Sequence, residues 1–258
     1  MNILVIGDII GRPGRQAVRE ILPGLRDQFD IEMVIANVEN TAGGIGATPS
    51  TVDELIDYGI NVMTSGNHIW AHREIIPYLE NDKPVIRPLN YPEGVTGKGY
   101  IIKDNVAVIN LIGRTFMSNY DCPFRTADKL LEQLGDKPAI KIIDFHAEAT
   151  SEKVALGRYF DGRVSAVLGT HTHIGTIDAR ILPEGTAYVT DIGMTGPKDS
   201  VIGDSIEDVV QRFLTMVPKR LPVAKGPVVF TAMLLDVDTK TGNAKSIERI
   251  YREIEGED

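Results

Sequence analysis

A chain of 258 residues fits one large α/β domain, and its 36 acidic against 27 basic residues give a formal net charge of −9. That balance weakens the case for a long nucleic acid as partner, because sequence-independent binding to DNA or RNA rests on neutralising phosphates. The single Cys122 excludes an intrachain disulfide and a cysteine-based metal cluster, so any metal must be held by nitrogen and oxygen.

No apolar run approaches the roughly 20 residues that a membrane helix needs. The start Met1-Asn-Ile-Leu-Val-Ile6 lacks the basic region and cleavage site of a secretory signal, which predicts a cytoplasmic protein with no membrane partner. Asn2 to Ile6 predicts a buried parallel strand, and Gly7-Asp8 through Gly14 a turn into a helix from Arg15 to Phe29. A second strand, Glu32 to Ala36, stops at Val38-Glu39-Asn40 and a glycine-rich loop. Thr48-Pro49-Ser50 opens a helix through Tyr58, and Gly59 to Ser65 predicts a third strand ending in Gly66-Asn67-His68.

A short helix is expected from Trp70 to Leu79, with His72 as a surface residue on it. Tyr100 to Lys103 and Val106 to Ile112, joined by Asp104-Asn105, predict a β-hairpin and therefore a mixed sheet. Gly113 to Arg125 reads as a loop whose Phe116, Tyr120 and Phe124 either cover a site or pin the loop to the body. A helix from Ala127 to Leu134 follows, then a strand from Ala139 to Phe145 ending at His146-Ala-Glu148. Ser151 is expected to cap a helix to Phe160. Val164 to Leu168 predicts a strand that runs into Gly169-Thr-His171-Thr-His173. Beyond it come short strands at Ala179–Leu182 and Ala187–Thr190, and a glycine-rich loop from Asp191 to Pro197. The chain closes with a helix from Ile206 to Met216 and strands at Pro227–Val237 and Ser246–Arg252.

In open α/β sheets, ligands bind outside the carboxyl ends of the strands, where loops converge. Asp8, Glu39, Asn40, Asn67, His146, His171 and His173 all fall at such ends. Taken singly, each is readable as a turn, capping or loop residue. Their repetition from strand to strand is not. Carboxylates, amide oxygens and imidazoles without thiolate suit Mn, Fe, Zn or similar ions. Two ions explain so many ligands better than one, with Glu39 as the natural bridge. In extended backbone His171 and His173 would project to one side, placed to serve one centre or two adjacent ones.

Gly66-Asn67-His68, Gly169-Thr-His171-Thr-His173, the upstream Gly7-Asp8 and the intervening His146 resemble the signature of calcineurin-like metallophosphoesterases. That superfamily commonly begins Asp-x-His and bridges its metals with Asp, whereas this chain has Ile10 and the pair Glu39-Asn40. This variant, with Phe145-His-Ala-Glu-Ala-Thr-Ser-Glu-Lys153 and Thr190-Asp-Ile-Gly-Met-Thr-Gly-Pro197, is similar to the YmdB-like branch of bacterial phosphodiesterases over nearly the whole chain. The resemblance implies a single domain over residues 1–258, a four-layer α/β/β/α sandwich of mixed sheets flanked by helices. It also implies two divalent or mixed-valence ions, Fe or Mn, with Zn also compatible. One ion would be held by Asp8, Glu39, Asn40 and His173, the other by Glu39, Asn67, His146 and His171. The implied substrates are small phosphodiesters, 2′,3′-cyclic nucleotides above all.

The chemistry expected of such a pair is in-line attack on phosphorus by a metal-bridging hydroxide, with His68 as general acid for the leaving ribose oxygen. Glu148 and Asp191 are candidate acceptors for the ligand histidines. The alternatives are a phosphomonoesterase, a nuclease using a local basic groove from Arg12, Arg15 and Arg114, and a non-catalytic metal-binding regulator. A homo-oligomer is compatible with the sequence.

Overall fold

The computed structural model describes residues 1–256. In chain order its strands and helices are β1 (Asn2–Ile6), β2 (Asp8–Ile9), α1 (Gly11–Phe29), β3 (Ile31–Asn37), α2 (Pro49–Asp57) and β4 (Val62–Thr64). Next come a 3-10 turn (Arg73–Ile75), α3 (Ile76–Glu80), β5 (Tyr100–Lys103), β6 (Val106–Ile112), α4 (Pro123–Leu134), β7 (Ile140–His146), α5 (Thr150–Tyr159) and β8 (Ala166–Thr170). The chain ends with β9 (Arg180–Ile181), β10 (Ala187–Val189), β11 (Met194–Pro197), α6 (Ile206–Thr215), β12 (Val228–Val237) and β13 (Ala244–Ile254).

Two mixed sheets result. One has the order β2-β11-β12-β1-β3-β4 with β13 paired to β12; the other runs β5-β6-β7-β8-β10-β9. Residue alternation along each central strand fixes the layers, because successive side chains leave opposite faces. In β1, Leu4 and Ile6 join Val18, Leu22 and Val52 of α1 and α2 in one core, while Ile3 and Val5 turn to a second core shared with Val108 and Ile142 of the other sheet. Ile109, Ile143 and Phe145 face outward to a third core against Leu130, Leu131 and Leu156 of α4 and α5. Helix, sheet, sheet and helix therefore stack as the expected four-layer α/β/β/α arrangement. Burying each of these aliphatic side chains contributes about 1.5–3 kcal/mol.

Several boundaries differ from the sequence reading, for local reasons. Pro77 fits a helix only in its first turn, so the expected helix from Trp70 splits into a 3-10 turn and a short α3, and His72 precedes both. Pro123 likewise starts α4 four residues before Ala127. Ser151 lies inside α5; the N-cap is Ala149, which makes no side-chain cap. The third strand is confined to Val62–Thr64, and part of the expected loop at 191–197 is strand β11. β8 starts and ends two residues later than expected, so it delivers Thr170 and then the histidines. The hairpin stands as expected, with Asp104 and Asn105 both at positive φ, the pattern of a two-residue primed turn. Tyr120 packs edge-on against Tyr91 and Phe124 against Tyr159, whereas Phe116 is 89% exposed.

Candidate metal centre

The parallel strands β1, β3 and β4 of one sheet and β7 and β8 of the other end at the same edge of the sandwich. Asp8 follows β1 by one glycine, Glu39 and Asn40 follow β3, and Asn67 and His68 follow β4. His146 is the last residue of β7, and His171 and His173 leave β8. Asp8, Glu39, Asn40 and His146 are buried. His171 and His173 are not extended: their φ angles are 96° and 64°, left-handed values that cost a non-glycine residue roughly 1–3 kcal/mol. Their separation thus comes from a strained loop and not from strand alternation. The loop is held by the His171 amide donating to Asp8 Oδ2 (3.1 Å), and by the Thr172 amide and hydroxyl donating to Asp191 Oδ2.

Nε2 of His146 is the meeting point. Glu39 Oε1 lies 3.1 Å from it, Asn67 Oδ1 3.1 Å and His171 Nδ1 3.0 Å. One nitrogen with at most one hydrogen cannot satisfy three acceptors, whereas a cation among them can. Glu39, His146 and His171 each offer a ligand atom, all within 4.8 Å of one another. Gly66 leaves the space: a Cβ there would lie 2.3 Å from both Glu39 Oε2 and His146 Nε2.

Each histidine's second nitrogen is tied outside this cluster, which fixes the tautomer. Thr170 Oγ1 donates to Asp144 Oδ1 (2.7 Å), so it accepts from His146 Nδ1 at 3.1 Å. His171 Nε2 lies 3.1 Å from Glu148 Oε2. His173 Nδ1 donates to the Ile202 carbonyl at 2.7 Å, and its Nε2 is 3.8 Å from Asp8 Oδ1. The inward nitrogens are therefore His146 Nε2, His171 Nδ1 and His173 Nε2.

The oxygens tell the same story. Asp8 Oδ1, Glu39 Oε1 and Asn40 Oδ1 are buried acceptors without a hydrogen-bond donor. Burial pushes the Asp8 carboxyl up to about 6, against the pull of His173 and His146. Burial also works to raise Glu39, but His146 and then His68 outweigh it and bring it to about 2. For His146, burial is outweighed by Glu39, Asp8 and Asp144, and the imidazole is raised to about 9. Burial and the neighbouring His146 hold His171 down at about 3, neutral and fit to ligate. A site that keeps a proton on His146 this firmly favours positive charge at Nε2, and the donor set of carboxylate, amide oxygen and neutral imidazole fits divalent ions.

His68 lies at the mouth, its side chain 36% exposed. Asn40 Nδ2 donates to the Gly44 carbonyl (2.9 Å) and faces His68 Nδ1 at 3.3 Å, which accepts from it in the neutral ring, and Glu39 Oε1 lies 3.6 Å from the same nitrogen. A cavity of about 430 Å³ opens beside His68, lined also by Asn40, His173, His72 and Asp204. His72, expected on a helix surface, thus faces the cavity, with Nε2 3.0 Å from the Ile45 carbonyl.

Two expectations are corrected. Asp191 faces no histidine: it accepts from Thr172, the Gly193 amide and the buried Lys153 Nζ (2.7 Å). The basic groove is not assembled either, because Arg15 pairs with Glu54 at 2.7 Å and Arg114 lines a separate hollow with Glu152. The sequence reading missed Asp144, buried and bonded to Thr64, Thr170 and Asn37. Its signal was a carboxylate inside an apolar strand, two residues before His146 and hence on the same face.

Fold and site together define the class: a phosphoester hydrolase with the fold of the calcineurin-like phosphoesterases. The solved calcineurin-like phosphoesterase YfkN from Bacillus subtilis shares the fold at TM-score 0.62, with 10% identity over 97% of this chain and 90% of that one. A model of the YmdB-like protein family matches residues 4–250, and the chain belongs to that family. It is 47% identical to the 2′,3′-cyclic-nucleotide 2′-phosphodiesterase of Bacillus subtilis (strain 168), over 97% of this chain and 96% of the relative. A crystal structure described as a novel phosphatase from Mycoplasma pneumoniae superposes at TM-score 0.93, with 32% identity, covering 100% of this chain and 94% of that one.

Proposed function

We propose that the chain is a single-domain, two-metal phosphodiesterase that hydrolyses small phosphodiesters, 2′,3′-cyclic nucleotides in particular, with Fe or Mn as the native ions. The observation that carries this reading is the convergence of three histidine nitrogens, each with its partner nitrogen already tied, on buried oxygens that lack donors. The name of the Bacillus subtilis relative supports the substrate class.

Asp8, Asn40 and His173 would hold one ion, and Asn67, His146 and His171 the other, with Glu39 common to both. When bound, two such ions supply a water activated near neutral pH and positive charge against the phosphoryl oxygens. Asp144 and Thr170 keep the His146 lone pair aimed inward. His68 would serve as general acid toward the leaving ribose oxygen from Nε2, as an imidazolium whose second proton, on Nδ1, faces Glu39 Oε1 at 3.6 Å.

A phosphomonoesterase is the second reading, favoured by the phosphatase description of the Mycoplasma pneumoniae structure. Protein stripped of metal and reloaded with Mn or Fe should hydrolyse 2′,3′-cyclic AMP in preference to p-nitrophenyl phosphate. Loaded enzyme that cleaves only the monoester would establish the second reading.

A further inference from the structure

Two cavities meet beside the metal centre. The first is the one that contains Asn40, His68 and His173, and its far wall carries Arg212, Lys219 and Arg220. The second, about 500 Å³, is walled by Val201, Val209, Phe213, Met216 and Pro218, and it shares Ile202, Asp204, Arg212 and Leu221 with the first. The chamber at the centre, which carries three histidines and the basic side chains, therefore continues into a more apolar one through a wall that bears an arginine.

The charges on that wall are out of keeping with the chain. Its net charge is −9, yet residues 212–225 contain Arg212, Lys219, Arg220 and Lys225 and no acidic residue. Lys219 is engaged by Asp208. The guanidinium groups of Arg212 and Arg220 form no hydrogen bond or ion pair among the described residues. Asp204, the acid on the shared wall, lies within electrostatic reach of Arg212, His68 and His173, which places Arg212 close to the centre. Phe213 is 75% exposed, leaving a ring available for stacking in the apolar chamber.

A cyclic mononucleotide brings one phosphate, the one that is cut, and its nucleoside accounts for the first cavity alone. In RNA the next anion lies on the 5′ oxygen of that nucleoside, and a second base follows it. The order of scissile phosphate, nucleoside, phosphate and base matches the order of metal centre, first cavity, arginines and apolar cavity. Arginine is the side chain suited to phosphate oxygens, and an aromatic ring accepts any base.

Resting on the phosphodiesterase reading above, we propose that the site takes the 3′ end of a short oligoribonucleotide carrying a 2′,3′-cyclic phosphate. Arg212 and Arg220 bind the penultimate phosphate, and Phe213 stacks on the penultimate base. In the reaction the oxygen of water bonds to phosphorus, the bond from phosphorus to the 2′ oxygen breaks, and that oxygen takes a proton, leaving a 3′-phosphate end.

The test compares kcat/KM of the metal-loaded enzyme for 2′,3′-cyclic AMP, its 5′-phosphorylated form, and an adenosine dinucleotide ending in a 2′,3′-cyclic phosphate. The dinucleotide is expected to exceed the cyclic mononucleotide by about tenfold or more, with the 5′-phosphorylated form between them. Arg212→Gln/Arg220→Gln should collapse the dinucleotide-to-mononucleotide ratio toward one, and Phe213→Ala should remove the advantage of the dinucleotide over the 5′-phosphorylated form. Calorimetric binding of the 3′-phosphorylated products should follow the same ranking independently of turnover. Equal kcat/KM for all three substrates, or a ratio untouched by the arginine substitutions, would overturn this inference alone. Failure of the loaded enzyme to cut any of them would overturn the phosphodiesterase reading and this inference with it.

Discussion

Nδ1 of His171 lies 3.0 Å from Nε2 of His146, while the opposite nitrogens of the two rings are taken by Glu148 and Thr170. Two lone pairs facing each other at that distance repel unless a proton or a metal cation lies between them. The first prediction follows from the grouping of the remaining ligands. His171→Ala should lower the bound metal from two ions per chain toward one, and His173→Ala should do the same by losing the other ion. Elemental analysis of the purified variants checks this; full metal content in either would remove that histidine from the ligand set.

Asp8 makes the metal-free protein pay in stability. Its folded pKa of about 6 stands above the ordinary 3.8, so as pH rises between these values the unfolded chain releases a proton that the fold retains. Stability falls through that window, and above it the cost is roughly 3 kcal/mol for a fully buried group. Asp8→Asn should therefore raise the melting temperature of the metal-free protein at pH 7, with the gain vanishing below pH 3.8. The same substitution should weaken metal binding. A destabilised metal-free Asp8→Asn protein at pH 7 would contradict this account of the site.

Asp144 acts on the centre through Thr170, whose hydroxyl it holds so that Nδ1 of His146 must be the donor. Thr170→Val removes that acceptor at nearly constant volume. Metal affinity is expected to fall 10- to 100-fold, the usual effect of losing a partner of a ligand histidine. Titration with a competing chelator reads it out; an unchanged affinity would show that His146 needs no such support.

Gly66 should tolerate no side chain. A Cβ there would stand 2.3 Å from both Glu39 Oε2 and His146 Nε2, and those atoms belong to buried groups that cannot swing away. Gly66→Ala is expected to abolish binding of at least one ion while the far-ultraviolet circular dichroism stays that of the folded chain. Normal metal content in this variant would contradict the packing around His146.

Much of this architecture was legible from residue order. Apolar runs ending in Asp8, Glu39, Asn67 and His146 announced the strand ends, since a buried parallel strand leaves chemistry only where it emerges. The Asp104-Asn105 turn announced the hairpin. What stayed hidden depends on long-range packing. Nothing local says that Thr170 accepts from His146 while donating to Asp144, that Asp191 serves Lys153 and Thr172, or that His171 and His173 adopt left-handed backbone. His72 was misplaced because a helical pattern was extended across Pro77, and Arg114 was given to a groove although it lines a separate hollow with Glu152.

The central claim is that His171 and His173 serve two different ions. Anomalous scattering from crystals of the Mn- or Fe-loaded protein tests it directly. Two peaks roughly 3.5–4 Å apart are expected, one bonded to His146 and His171 and the other to Asp8 and His173, with Glu39 between them. A single peak coordinated by both His171 and His173 would contradict it.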